Sequence, residues 1–541
     1  MKKAFRSMKI SNLIHQTRTM GLNPVTWVFA GGLAVRIYSA ALRCIINPDG
    51  AQYIYQAGAI FNGNWSDLLA CKLTYVSPLP FLIAASFGLF RDWIIAAQAV
   101  NVLLGWATLF PLFLLLRRFT DNSVSILTVL IFALMPVLVE GSGDVLRGPL
   151  FWFCLSMGLL MFVRQWDEPA LTGRFRIDIL LSSLFFLLAS WTRIEGLALF
   201  AASALYLAIS RHDAKMQRIL IFVSPVLLIG LGAASILIAS GKDPETVLHL
   251  KQVLQEPTQF LSQYADLNNQ IASAYSRERG IYGEFLRRSK EILGFIPVIS
   301  IVYNILEGIF YPFAIVFFIG FGGLIKRSRQ DRRVGYLLCL TLAGLIVLYI
   351  HILQVWILAY RFLAICIFPG CILIANGIER IMGYLQSRRH WRRATTIGAI
   401  STFLILFGLP KSLKPEEQDK IVYRQAAQTI AAENEAGQVA RVGAVTSSRA
   451  FEWVLLYAHR KDSIIPCARG MITDITVSYD SFVKQLDESG VRYFFYEDRF
   501  WPKKGFELAD ALYRQDFRIL GRWRHPDSKA FILFKRKSDR D

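Results

Sequence analysis

Long uncharged apolar runs, Ile94–Leu116 and Val334–Leu353 among them, recur along this chain and limit what it can fold into. Windows of about 18–22 such residues are long enough to cross a ~30 Å hydrocarbon core as helices. Hydrophobic residues make up 54% of the 541, above the ~45–50% of an ordinary soluble domain. The runs are continuous rather than alternating, which excludes a strand barrel. The expected class is a polytopic α-helical membrane protein.

The formal charge of +20 would favour nucleic acid in a soluble protein. Here the basic residues gather in short loops between apolar runs, at Arg117–Arg118, Arg174 and Arg176, Lys326–Arg333 and Arg388–Arg393. That is the positive-inside pattern, so the charge reads as topology and no nucleic-acid partner is expected. Holding the basic loops inside puts crossings near 24–42, 93–116, 122–140, 147–164, 178–192, 195–210, 217–239, 308–325, 334–354, 361–382 and 394–411, about 11–13 in all with the shorter apolar segments. Residues 77–90 are apolar but short and carry Pro78 and Pro80, which suits a re-entrant or interfacial helix. The first run lacks a small-residue cleavage site and reads as a retained signal-anchor.

This division predicts a membrane domain over 1–413 with outer loops at 43–77 and 241–303. The second loop carries a basic helical patch at Arg287, Arg288 and Lys290. Over 414–541 strand-like and helix-like runs alternate, as in a small soluble α/β domain. That tail has no phosphate loop, metal cluster or nucleophile elbow and is assigned support or acceptor recognition. Seven cysteines show no metal-ligand spacing; Cys44 and Cys71 share the first loop, where a disulfide is an open expectation.

The same topology brings polar groups to the outer face from four span junctions. They are Asp49 and Tyr53, then Glu140, Asp144 and Arg147, then Arg193 and Glu195, and last His351, Tyr360 and Arg361. Charges near lipid are costly and tend to mark working sites. Each has a plainer reading: a turn at Asn47-Pro48-Asp49-Gly50, an N-cap at Asp144, a local Arg193–Glu195 pair, a snorkelling Arg361, interfacial packing for His351. Together they suit transfer of a sugar from a lipid-linked phosphate. Arginine forks match the phosphate, and a carboxylate takes the proton of an acceptor hydroxyl as it attacks the anomeric carbon, inverting it. Asp49 and Asp144 are the candidate catalytic carboxylates; Tyr53, Arg147, Arg193, Glu195, His351, Tyr360 and Arg361 are candidates for substrate binding. No cofactor is assigned, and a divalent cation stays an open expectation.

Three segments carry a family resemblance: Asn47-Pro48-Asp49-Gly50 with Tyr53, Ala57 and the prolines of Ser77-Pro78-Leu79-Pro80; Thr192-Arg193-Ile194-Glu195-Gly196; and Tyr360-Arg361-Phe362-Leu363 leading to Pro369. The chain resembles the polyprenyl-phosphate-sugar-dependent glycosyltransferases of the GT-C fold, which include protein mannosyltransferases and the aminoarabinose transferases of lipid A. The resemblance covers roughly residues 20–410. It implies a lipid-phosphate donor, a glycan, lipid or protein acceptor, and Asp49 as base or acceptor-positioning carboxylate. Gly148 stands where such proteins often carry a second acidic residue, with Asp144 about one turn earlier. A polymerase or ligase using lipid-diphosphate glycans, and a lipid or solute transporter, are the alternative readings. The absence of a two-fold repeat weighs against the transporter. A bacterial inner membrane is the expected location, with the N-terminus in the cytoplasm and the C-terminal domain in the periplasm.

Overall fold

The computed structural model describes residues 23–69, 75–167, 173–210, 214–240, 250–415, 417–434, 440–445, 448–458, 478–501, 506, 508, 516–526 and 530–537. Cys71 lies outside them, and with it the proposed Cys44–Cys71 pairing. The chain divides into two compact units.

The first unit comprises 1–36, 104–141 and 148–413 and is helical. Its elements begin with most of α1 (Pro24–Leu42). After α2 (Pro48–Phe61), α3 (Leu79–Phe90) and α4 (Trp93–Ala107), which belong wholly or partly to the second unit, come the short α5 (Leu109–Leu116), α6 (Asn122–Leu134), α7 (Pro136–Gly143) and α8 (Gly148–Arg164). Next come α9 (Gly173–Thr192), α10 (Gly196–Ile209) and α11 (Lys215–Ser240). Three further helices, α12 (Leu250–Arg277), α13 (Ile281–Ile292) and α14 (Ile296–Gly308), occupy most of the stretch expected as a loop. The unit closes with α15 (Tyr311–Ile319), α16 (Leu324–Gln330), α17 (Arg332–Val355), α18 (Ala364–Ile367), α19 (Cys371–Arg388) and α20 (Arg393–Ser412).

Among the described residues six helices are long and apolar enough to cross a membrane, or nine if three bent pairs each count as one span. Three shorter apolar helices accompany them. Leu228, Ile315 and Leu406 are each more than half exposed. Apolar side chains turned outward on this scale are what a lipid-solvated bundle requires. The protein is thus a multi-pass membrane protein.

Inside the unit, packing follows membrane rules. A Cβ on Gly377 would lie 2.0 Å from the Val316 carbonyl, so only glycine lets α19 approach α15 so closely. The basic loops are partly neutralised: Arg118 and Arg333 both reach Asp167 at 2.7 Å, and Arg327 pairs with Glu379. The expected basic patch is likewise paired, since Arg287 and Arg288 both hold Glu284 and Glu291.

A buried arginine resolves a sharp break among the early spans. Helices α6 and α7 meet at 53°, because Pro136 has no N–H to give the Phe132 carbonyl. Arg36, 1% exposed, supplies the missing donors: Nη2 to Phe132 O at 3.3 Å and Nη1 to Ala133 O at 3.1 Å. Ser412 Oγ donates to Leu134 O at 2.6 Å. An unsatisfied carbonyl in hydrocarbon costs several kcal/mol. Arg36→Met is therefore expected to lower stability by about 2–5 kcal/mol, read as a depressed Tm in nanodiscs. An unchanged Tm would show that the break needs no cap.

The second unit comprises 37–103, 142–147 and 414–541. Residues of the first outer loop thus cluster with the C-terminal tail. It contains α2 (Pro48–Phe61), α3 (Leu79–Phe90) and most of α4 (Trp93–Ala107). The tail supplies α21 (Ile421–Glu433), β1 (Val442–Val445), α22 (Ser448–Ala458), α23 (Tyr479–Glu488), β2 (Tyr493–Glu497), β3 (Phe517–Trp523) and β4 (Phe531–Arg536). The sheet order is β1-β2-β4-β3, parallel between β1 and β2 and antiparallel elsewhere.

Alternation along the strands builds two cores. Tyr493, Phe495, Phe531 and Leu533 face α21 and α22, while Phe494, Tyr496, Ile532 and Phe534 face α23 and Trp501. This is the α/β domain expected from the alternating runs.

Candidate functional site

Asn-Pro-Asp-Gly starts a helix rather than making a turn. Asn47 caps α2 by accepting from the Asp49 N–H at 3.1 Å, and Pro48 occupies the first helical position. Asp49 falls in the first turn, where the helix dipole favours a carboxylate. Gly50 is required by crowding: a Cβ there would meet Val145 Cβ at 2.8 Å and its carbonyl oxygen at 3.0 Å. The glycine lets the start of α2 lie against the 142–147 segment within the second unit.

Asp144 holds that junction together. Its Oδ1 accepts from the Asn47 N–H and the Val145 N–H, both at 2.7 Å. Its Oδ2 pairs with Arg43 Nη1 at 3.2 Å, and both side chains are less than a tenth exposed. Burial pushes the Asp144 carboxyl up, and Arg43 with the two N–H donors opposes this. Asn101 completes the anchor, donating to the carbonyls of Asp144 and Leu146. Asp144 therefore does not cap α8; it orients the cap of the helix that carries Asp49. Asp144→Ala would strand Arg43 and is expected to cost about 3–5 kcal/mol, measured as loss of folded protein on denaturant titration. A neutral result would make this network dispensable.

Arg147 leaves the same segment with its guanidinium 5.7 Å from the Tyr53 ring centre and 4.9 Å from that of Tyr75. Gln56 donates to the Tyr75 carbonyl at 3.1 Å, tying that residue to α2. Asp49, Tyr53, Asp144 and Arg147 are thus brought together, with Arg43 and Tyr75 added.

A separate cleft lies within the first unit, lined by Phe151, Arg193, Glu195, Val347, His351, Arg361, Phe362 and neighbours. The three-residue link between α9 and α10 presents Arg193 and Glu195, paired at 2.9 Å. Phe362 is its pillar. Arg193 lies 4.3 Å from the ring centre, Arg361 5.7 Å, and the His351 ring 4.6 Å. Stacking on an aromatic face leaves the edge N–H groups of a guanidinium able to hydrogen-bond, and those of Arg193 hold Glu195. Two guanidiniums against one carboxylate leave this cleft cationic.

Tyr360 stands apart. It does not line the cleft, and its hydroxyl donates to Glu307. Glu140 is half-buried on α7. Among the described residues no group of three or more His, Cys, Asp or Glu side chains is placed to hold a metal ion. Sequence reading missed Phe362, Arg43 and Phe151. The first sits inside a quoted motif and was findable there, whereas the other two act through contacts that no local pattern announces.

The fold is the GT-C fold of polytopic membrane proteins. The chain is similar to ArnT from Cupriavidus metallidurans bound to undecaprenyl phosphate, with a TM-score of 0.61 and 12% identity over 95% of this chain and 98% of that one. The apo state of that protein gives 0.58 and 14% over 94% and 97%. The archaeal oligosaccharyltransferase AglB from Archaeoglobus fulgidus, in complex with an inhibitory peptide and a dolichol-phosphate, gives 0.44 and 13% over 87% and 69%. No protein-family model matches the sequence, and no curated protein matches it.

Proposed function

We propose that the protein is an integral-membrane inverting glycosyltransferase that moves a sugar from a polyprenyl-phosphate donor to an acceptor hydroxyl. The observation that carries this reading is the cationic cleft in which Arg193 and Arg361 flank Phe362. Guanidinium groups beside one another on an aromatic ring suit a phosphate anchored in lipid. An ArnT structure of the same fold holds undecaprenyl phosphate.

In this reading the acceptor oxygen forms a bond to the anomeric carbon as the bond from that carbon to the phosphate oxygen breaks. The phosphate leaves with the electron pair, and the arginines stabilise its charge. Asp49, fixed at the start of α2, takes the proton from the acceptor hydroxyl. A single displacement inverts the anomeric centre and needs one base, so Asp144 serves as an anchor. The basic loops support a cytoplasmic N-terminus, and we assign the C-terminal domain to the periplasm of a bacterial inner membrane.

The test is transfer of labelled sugar by purified protein in nanodiscs, analysed for anomeric configuration. An inverted product supports the reading. A retained configuration contradicts the single displacement, and transport of an intact lipid-linked sugar without bond cleavage contradicts the whole assignment.

A further inference from the structure

We propose that α1, α6 and α20 form a groove for one acyl chain of an anionic phospholipid, whose phosphate is met at the rim by Arg393. The site lies within the first unit. It does not rest on the reading of Asp49 or of the Arg193–Arg361 cleft.

The groove has a volume of about 500 Å³, within the ~300–1,000 Å³ of small-molecule sites. Its walls run from Pro24 to Val35 on α1, from Asn122 to Leu134 on α6 and from Ile397 to Leu409 on α20. At 1.5 Å per residue each wall is about 16–18 Å long, close to one leaflet of a ~30 Å hydrocarbon core. All three walls start near the N-terminal end of their helix, so the slot is one leaflet deep and as long as an acyl chain.

A glycine opens it. Gly31 lines the groove, and a Cβ there would meet nothing within 4 Å. One residue on, α1 closes against its neighbours, since a Cβ on Gly32 would lie 3.0 Å from Leu109 Cδ1 and 3.3 Å from Ala133 Cβ. Val35, Leu130, Leu134, Ile405 and Leu409 line the groove farther from its mouth. The carbonyls at this inner end are already held, that of Ala133 by Arg36 and that of Leu134 by Ser412. Such walls suit hydrocarbon.

Polarity rises at the mouth, where Asn122 and Ser123 join the lining. Arg393 Nη2 lies 3.4 Å from Ser123 Oγ and pairs with Asp121, both side chains about half exposed. The turn entering α20 adds the exposed Arg389 and Arg392. Basic clusters at a span end attract anionic headgroups, and Trp27, lining the groove and 66% exposed, suits the headgroup level. The donor phosphate of the proposed reaction is read elsewhere. Arg193 follows the C-terminal end of α9, whose other end carries Arg174 and Arg176, so the two anion sites lie at opposite ends of the spans.

The test is native mass spectrometry of the full chain in detergent, titrated with phosphatidylglycerol, phosphatidylcholine of the same acyl chains, or undecaprenyl phosphate. Wild type is expected to retain one phosphatidylglycerol in preference to phosphatidylcholine. Gly31→Phe, which fills the groove, should abolish this retention. Gly398→Phe should keep it, because Gly398 also has open space around its Cβ position but does not line the groove. Arg393→Gln should weaken phosphatidylglycerol about fivefold and leave phosphatidylcholine unchanged. Phosphatidylglycerol should also raise the Tm of wild type and not that of Gly31→Phe.

Wild-type retention in Gly31→Phe would overturn the site. Equal retention of the two phospholipids by wild type would overturn the anionic occupant. Undecaprenyl phosphate that displaces phosphatidylglycerol and is itself lost in Gly31→Phe would overturn it too, giving the groove to the donor tail. If Gly31→Phe fails to fold, Ser401→Phe fills the groove from α20 and is read in the same way. Should both fail, the exposed Arg393→Gln decides, and an unchanged preference for phosphatidylglycerol overturns the inference.

Discussion

Asp49→Asn is expected to leave the fold intact and to reduce sugar transfer by about 10²- to 10⁴-fold, the range for loss of a positioned general base. Asparagine keeps the size of the side chain and is tolerated in the first turn, so the cap by Asn47 and the contact of Gly50 with Val145 persist. The loss should fall on kcat, because the carboxylate is needed when the acceptor oxygen attacks and not when the donor binds. Steady-state kinetics with saturating donor separate these. A variant with normal kcat and a raised acceptor KM would instead make Asp49 a binding group.

The second large effect is expected at Arg193. Arg193→Ala removes one fork from the cleft and leaves Glu195 without its partner at 2.9 Å. Removal of a preorganised donor to a developing oxyanion costs about 10²–10³ in rate, and donor affinity should weaken as well. Arg193→Lys should recover little, since an ammonium neither stacks on Phe362 nor forms a bidentate contact. Phe362→Leu is the matched control, because it keeps both arginines and removes the surface that aligns them. Measuring donor KM and kcat for the three variants checks the assignment. Full activity in Arg193→Lys would mean that charge alone suffices and that the stacked geometry is incidental.

Much of the architecture was legible because bilayer chemistry leaves few options. Continuous apolar runs and basic loops lead directly to a helical bundle, and alternation in the tail leads to a sheet with helices on both faces. Residues 241–303 read as an outer loop because polar residues dilute their apolar pattern, although three helices, α12 to α14, cover most of that stretch. The role of Asn47-Pro48-Asp49-Gly50 was ambiguous for a physical reason: asparagine, proline and glycine serve turns and helix starts alike. What decides between them is Val145 against Gly50 and Asp144 on the Asn47 amide, contacts about 95 residues away in sequence. Arg193, Glu195, His351 and Arg361 could be chosen individually by their charge near lipid. Their common pillar, Phe362, has no such mark, because one phenylalanine among 39 looks like packing.

The central claim is the donor class, and the most direct measurement is release of lipid phosphate by the purified protein from a panel of lipid-linked sugars in nanodiscs. The panel should pair each sugar as polyprenyl monophosphate and as polyprenyl diphosphate, with a hydroxyl acceptor mixture present. The account predicts turnover of at least one monophosphate donor, dependent on Asp49 and Arg193, and none of its diphosphate counterpart. Turnover confined to diphosphate donors would contradict it and point to a polymerase or ligase.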